Sequence, residues 1–313
     1  MTAPVSTPVP PPRRAPAAGA IPPRAGSGRP ARRLGRPRRP VRARAAGAAA
    51  GVLLWGYAAV ALAPLFVMVA GSLRTERELA DRPLGLPLHP AFENYARAWS
   101  DGHFSTYFTN SVLVTCGAVL LGTGVSVLAA YPLARYRFAG HGVLSAYFLA
   151  GLMLPIRLGI VPVFYLLNSL GLIDSRIGLV CVYAASGVPF SVFVLTAFFR
   201  QLPAELEEAA RMDGAGELRI FARIMVPLVR PALTTVALFQ FIPLWNDFFF
   251  PLVLIGDTDK YTLPVGLTHF VAEFETAHAQ LNAGLVITTI PLVVLFLVAT
   301  KQIVAGLTAG MSR

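Results

Sequence analysis

Six long apolar runs dominate this chain: residues 45–73, 110–134, 142–167, 177–199, 231–255 and 279–300. Within them only Arg157 and Asp247 carry charge. A helix crosses the hydrocarbon core of a bilayer with about 20 mostly apolar residues. Inside lipid every backbone amide must find its partner within the segment, so runs of this length are expected to be transmembrane helices. Barrel strands would alternate polar and apolar residues every second position over shorter stretches. Composition agrees. Only 14% of residues are charged, against about 25% in soluble domains, too few to cover a water-facing surface.

The charge that exists is unevenly placed. Residues 1–44 hold eleven Arg and no Asp or Glu, which equals the whole formal net charge of +11. This Pro-, Ala- and Arg-rich arm has no apolar periodicity and is expected to be disordered. Because it abuts the first apolar run, its charge is read as holding that terminus in the cytoplasm and touching anionic lipid heads, not as a nucleic-acid-binding tail. Arg135, Arg137, Arg200, Arg211, Arg219, Arg223, Arg230, Lys301 and Arg313 then fall in alternate connections on the same side. The opposite connections carry mixed charge: Arg74, Glu76, Arg77, Glu78, Asp81 and Arg82, then Asp257, Asp259, Lys260, Glu273 and Glu275. Six spans with both termini inside fit this bias. The division expected is a basic arm (1–44), a first span with its outer loop (45–109), a five-helix core (110–304) and a cytoplasmic tail (305–313). Cys116 and Cys181 both lie in apolar runs and are expected to be small buried side chains.

The largest inner connection, 200–230, is also the most charged. Pro203 suits a first helical turn, and 204–212 is rich in helix formers with Glu205, Glu207 and Glu208 near its start. Asp213-Gly214-Ala215-Gly216 is turn chemistry. A second helix is expected over 217–225, broken by Pro227 and Pro231 before the next span. The whole reads as a helix–turn–helix on the cytoplasmic face, with small residues Ala209, Ala210 and Gly214 that let another surface approach.

Glu208-Ala209-Ala210, three residues, Gly214, nine residues, Ile224, one residue, Val226 and Pro227 resemble the EAA signature of binding-protein-dependent ABC importer permeases, with Val226 where that family has Leu. Asp213-Gly214-Ala215 matches its common extension. Trp245-Asn246-Asp247-Phe248 with Pro251 resembles a motif of the carbohydrate-uptake (MalG-type) permeases. So do Ala129-Ala130-Tyr131 with Leu133-Ala134-Arg135, Asn94-Tyr95, the stretch from Tyr261 to Leu267 and the tail from Gly306 to Gly310. The resemblance covers roughly residues 50–313.

It implies an all-α membrane protein, a six-transmembrane-helix type I ABC importer permease bundle with a cytoplasmic EAA coupling hairpin. It also implies a second permease subunit, an ATPase dimer and an extracytoplasmic sugar-binding protein. Glu208, Ala209, Ala210, Asp213 and Gly214 would couple to the ATPase, with Glu208 pairing a basic residue there. A phosphate-cradling loop ends in Gly-Lys-Ser/Thr. Lys260 follows Asp259 and Lys301 follows Thr300, so the chain is expected to bind no ATP or other cofactor itself and to borrow its motor.

Arg157 and Asp247 are the candidate intramembrane charges, costly in lipid unless they pair or line a path. They stand fifteen and sixteen residues into their runs, about 22 and 24 Å at the helical rise, and are expected to share a level. Gln240, Trp245 and Asn246, together with Asn110, are candidate cavity groups, although each also suits helix–helix packing. An ion-coupled secondary transporter remains an alternative, with Asp247 as its one strong intramembrane acid. A membrane enzyme would need a clustered catalytic set, and the five His are scattered.

Overall fold

The computed structural model describes residues 41–101, 103–273 and 277–311. Most of the basic arm, Glu275 and Arg313 lie outside them. Two compact units are distinguished, with the boundary after Gly56. The described part of the first is the leading part of α1 (Val41–Ser72), whose Leu53, Leu54 and Trp55 are exposed. The second holds everything from Tyr57 onward, and among the described residues it is built from helices, turns and loops.

After α1 come two short helices, α2 (Glu76–Asp81) and α3 (Glu93–Asp101). Arg74 is buried and donates to the Glu78, Arg82 and Pro83 carbonyls, which caps α2. Asn94 Nδ2 reaches back to the Ser72 and Arg74 carbonyls at 2.9 and 2.8 Å, fixing α3 on the end of α1. The long α4 (Phe104–Arg135) packs chiefly on α7 (Arg176–Gln201). Between them lie α5 (His141–Met153), a 3-10 turn (Ile156–Gly159) and α6 (Ile160–Ser169). Next comes the hairpin: α8 (Glu205–Met212), α9 (Glu217–Ile220), a π turn (Phe221–Met225) and α10 (Val226–Leu228). The chain then runs through α11 (Arg230–Trp245), α12 (Phe249–Leu254), α13 (Leu263–Glu273) and α14 (His278–Met311).

Among the described residues four helical stretches are long and apolar enough to cross a membrane unaided: Ala50–Ser72, Phe104–Arg135, Arg176–Gln201 and His278–Leu297. The other two expected spans are not straight helices. The third breaks between Met153 and Ile156 with a 93° bend. The cause is local: Pro155 lacks an N–H and forces Leu154 out of the helical region, to ψ 118°. The fifth begins after a 71° bend at Val229 and ends at Trp245, ten residues before the expected limit. The hairpin's second arm runs through Pro227, which directly follows the π turn, and ends at the bend between Pro227 and Pro231. The second span starts at Phe104, earlier than its apolar run. Both cysteines are exposed rather than buried, on the sides of α4 and α7.

Three apolar clusters hold the second unit together. One joins Tyr131, Leu195, Phe199, Ile220, Met225 and Val236, tying α4 and α7 to the hairpin and α11. A second centres on Val114, Leu179, Tyr183, Phe250 and Leu254, and a third on Phe104, Tyr107, Trp245 and Leu263. At the end opposite the hairpin, Lys260 Nζ lies 2.7 Å from Asp174 and 3.2 Å from Asp257. The hydrogen bond from Lys260, aided by the Asp257 and Gly256 amides, holds the Asp174 carboxyl at about 2.

The entry to α7 tolerates no side chain at Gly178. A Cβ there would stand 2.2 Å from the Leu172 carbonyl oxygen, a backbone atom with no rotamer to yield. Gly178→Ala is expected to destabilise the bundle by about 3 kcal/mol, the upper range for overpacking. The check is the thermal midpoint of the detergent-purified protein, which should fall by several degrees; an unchanged midpoint would show that the 170–178 loop can relax.

Candidate functional site

Two places gather the residues expected to be functional. The first is a cavity of about 390 Å³ between α7 and α11, walled by Tyr183, Ser186, Phe190, Phe239 and Phe250 and floored by Gln240. Arg157 and Asp247 face each other across its rim. Both stand at helix breaks: Arg157 in the 3-10 turn after α5, Asp247 two residues past α11. Their depths therefore cannot be counted along continuous helices, although the two residues do meet, with Arg157 Nη2 3.7 Å from Asp247 Oδ1. The pair is lopsided, Arg157 being 72% exposed and Asp247 only 9%. Asp247 is held by its other oxygen, which accepts from the Tyr183 hydroxyl at 2.7 Å and the Phe250 amide at 3.1 Å. Arg157 also lies over the Phe249 ring at 5.9 Å, a cation–π contact.

Gln240 is buried mid-helix. Its Nε2 donates to Ser191 Oγ at 2.7 Å and Thr123 Oγ1 at 3.3 Å, so one side chain links α11 to α7 and α4. Trp245 and Asn246 lie outside this cavity. Trp245 is 1% exposed, stacks on Phe241 at 5.6 Å and donates to the Thr288 carbonyl at 3.2 Å. Asn246 caps α11 and turns its amide back to the Ile242 carbonyl at 2.8 Å. Asn110 also serves packing: it donates to the Asp259 and Tyr261 carbonyls and accepts from Arg176. Asn110 does not line the cavity; Tyr183 does, and it carried no signal in the sequence beyond lying in an apolar run.

The second place is the hairpin at the opposite end of α11. Its turn is a Schellman motif: the Ala215 amide bonds the Ala210 carbonyl and the Gly214 amide bonds the Arg211 carbonyl. Gly214 has φ +78°, the left-handed conformation that favours glycine, and nothing lies within 4 Å of where its Cβ would be. Glu208, Ala209, Asp213 and Gly214 are exposed together, whereas Ala210 is buried in the first apolar cluster. Among the described residues Glu208 makes no ion pair. Its neighbour Glu207 is buried, 2.8 Å from Arg135 Nε and 3.6 Å from Arg211 Nη2. Arg211 also pairs with Glu217 at 2.9 Å, and that hydrogen bond raises the arginine's already high pKa. Sequence reasoning counted Glu207 only among the acids of the first turn. Successive helical positions point about 100° apart, so of two adjacent acids one faces the bundle and the other faces out.

Residues 122–309 match the family described as binding-protein-dependent transport system inner membrane component. The chain is 36% identical over 264 residues to the diacetylchitobiose uptake system permease protein of Streptomyces coelicolor, covering 84% of this chain and 87% of that one. It is 34% identical over 260 residues to the trehalose transport system permease protein of Mycobacterium tuberculosis, covering 82% and 93%. Among solved structures, a chain of a bacterial ABC transporter involved in the import of the acidic polysaccharide alginate superposes with a TM-score of 0.74 at 28% identity, covering 82% of this chain and 96% of that one.

Proposed function

The chain belongs to the binding-protein-dependent transport system inner membrane components, multi-pass membrane proteins, and on that premise we propose that it is a permease subunit of an ATP-driven importer of a sugar or oligosaccharide. A second permease completes the path. A cytoplasmic ATPase dimer supplies the energy, an extracytoplasmic binding protein delivers the sugar, and both termini of this chain lie in the cytoplasm. The observation that carries the reading is the hairpin: Glu208, Ala209, Asp213 and Gly214 of the EAA signature stand exposed on a turn that Ala210 anchors in the bundle. A surface that projects small residues and the carboxylates of Glu208 and Asp213, neither in an ion pair among the described residues, suits a cleft on another protein. Closure of the ATPase dimer on ATP pushes α8, and the push enters α11 through the π turn and the Val229 bend.

The relatives' names support a carbohydrate cargo, since they refer to diacetylchitobiose and trehalose. The cavity suits that chemistry, with apolar and aromatic walls and a few fixed polar groups. Arg157, Gln240 and Asp247 line the path. An ion-coupled carrier would need an acid free to load and release its ion, whereas Asp247 is held by two hydrogen-bond donors and an ion pair with Arg157.

Deleting the gene and measuring uptake of labelled diacetylchitobiose, trehalose and other oligosaccharides tests the assignment. Uptake of at least one is expected to disappear while uptake of an unrelated amino acid continues. Unchanged uptake of every sugar in the panel overturns the substrate class.

A further inference from the structure

We propose that Glu207 and Arg135 form a latch that makes α4, as well as α11, move with the hairpin. This deepens the coupling role proposed above and rests on it. The carboxylate and the guanidinium are 2.8 Å apart, with side chains only 7% and 11% exposed. Arg135 is the last residue of α4, and its Nη2 donates to the Leu202 carbonyl at 2.9 Å, on the strand of chain that leads into α8. The neighbouring Tyr136 hydroxyl donates to Glu217 on the other arm of the hairpin at 2.5 Å. Both arms are therefore tied to one helix end by side chains, independently of the covalent path into α11.

That helix reaches the cavity. α4 is continuous for 32 residues, and Thr123 near its middle accepts the hydrogen bond from Gln240. Displacement of α8 at one end thus shifts a side chain that positions the cavity floor. The covalent route alone passes a π turn and a 71° bend, so α8 and α11 do not share one straight helical axis. A buried charge pair is stiff because separating it strands each charge away from water. Glu207 and Arg135 are positioning residues; neither touches the cavity.

The test uses the complete importer, with its partner permease, ATPase and binding protein, in proteoliposomes. The readout is sugar taken up per ATP hydrolysed, which a merely structural role would not move. Glu207→Gln is expected to lower that ratio at least about tenfold, while the exchange Glu207→Arg with Arg135→Glu recovers part of it. A ratio equal to wild type, or loss of ATPase from the purified complex with the ratio unchanged in what remains, overturns the latch. If Glu208→Lys also leaves uptake intact, the coupling reading itself fails; if it abolishes uptake while Glu207→Gln does not, only the latch fails.

Should the variants not fold, spin labels on Arg137→Cys and Met212→Cys, in a chain with Cys116→Ser and Cys181→Ser, give the answer with both latch residues intact. The label separation is expected to stay within about 2 Å between nucleotide-free and ATP-trapped complexes. A change of about 5 Å, one helical turn, overturns the proposal.

Discussion

Glu208→Lys is expected to abolish sugar uptake, by about a hundredfold or more, and to leave the amount of folded permease almost unchanged. The side chain is exposed in the first turns of α8 and has no ion pair among the described residues. Within the chain, reversal costs only its favourable place near the helix N-terminus, about 0.5 kcal/mol. Across a docked interface the cost is different. Losing one member of a hydrogen-bonded charge pair costs about 2–5 kcal/mol, and reversal adds repulsion. At about 1.4 kcal/mol per tenfold, even the lower figure exceeds a tenfold loss of assembly. The checks are ATP-dependent uptake in proteoliposomes and recovery of the ATPase on the purified permease. Normal uptake with normal recovery would remove the hairpin from the coupling interface.

The second large effect concerns the cavity rim. Asp247→Ala removes two accepted hydrogen bonds and one ion pair at once, leaving the Tyr183 hydroxyl and the Phe250 amide without their acceptor and Arg157 without its counter-charge. Breaking a fully buried pair costs about 3–5 kcal/mol. Arg157 is 72% exposed, so the ionic part is screened and should be discounted toward about 1 kcal/mol. The orphaned Tyr183 and Phe250 groups add about 1–3 kcal/mol each. Uptake is expected to fall about tenfold to a hundredfold. Asp247→Asn, which keeps a carbonyl oxygen for Tyr183 and Phe250, should lose much less. Initial uptake rates at matched expression decide. If Arg157→Ala and Asp247→Ala each abolish transport and the double variant recovers none of it, simple pairing is the wrong account. Partial recovery in the double variant identifies simple pairing.

Much of this was legible in the sequence because the bilayer leaves so few choices. Uncharged runs such as 110–134 and 177–199 could only be helices, and both lie inside longer ones. The hairpin was legible from local chemistry: Pro203 before the first arm, and Gly214 where the turn needs φ +78°. What escaped was direction. Pro155 was visible inside an apolar run, but hydropathy counts residues and is blind to a bend; the pre-proline restriction on Leu154 was the available signal. Trp245 stood in a recognisable motif, yet which face of α11 meets the cavity depends on packing against Phe241 and the Thr288 carbonyl of α14. The Glu207–Arg135 pair spans 72 positions of sequence. No periodicity within α8 could have named Arg135 as the partner of one acid while leaving the next exposed.

The central claim is that a separate nucleotide-driven motor, not an ion gradient, moves this bundle. Proteoliposomes holding the purified permease pair and ATPase, with sugar-loaded binding protein outside and ATP enclosed, test it most directly. Labelled sugar is expected to accumulate only with hydrolysable ATP inside and to be indifferent to a collapsed proton or sodium gradient. Accumulation without ATP, driven by an imposed ion gradient and lost when that gradient is dissipated, would contradict the account.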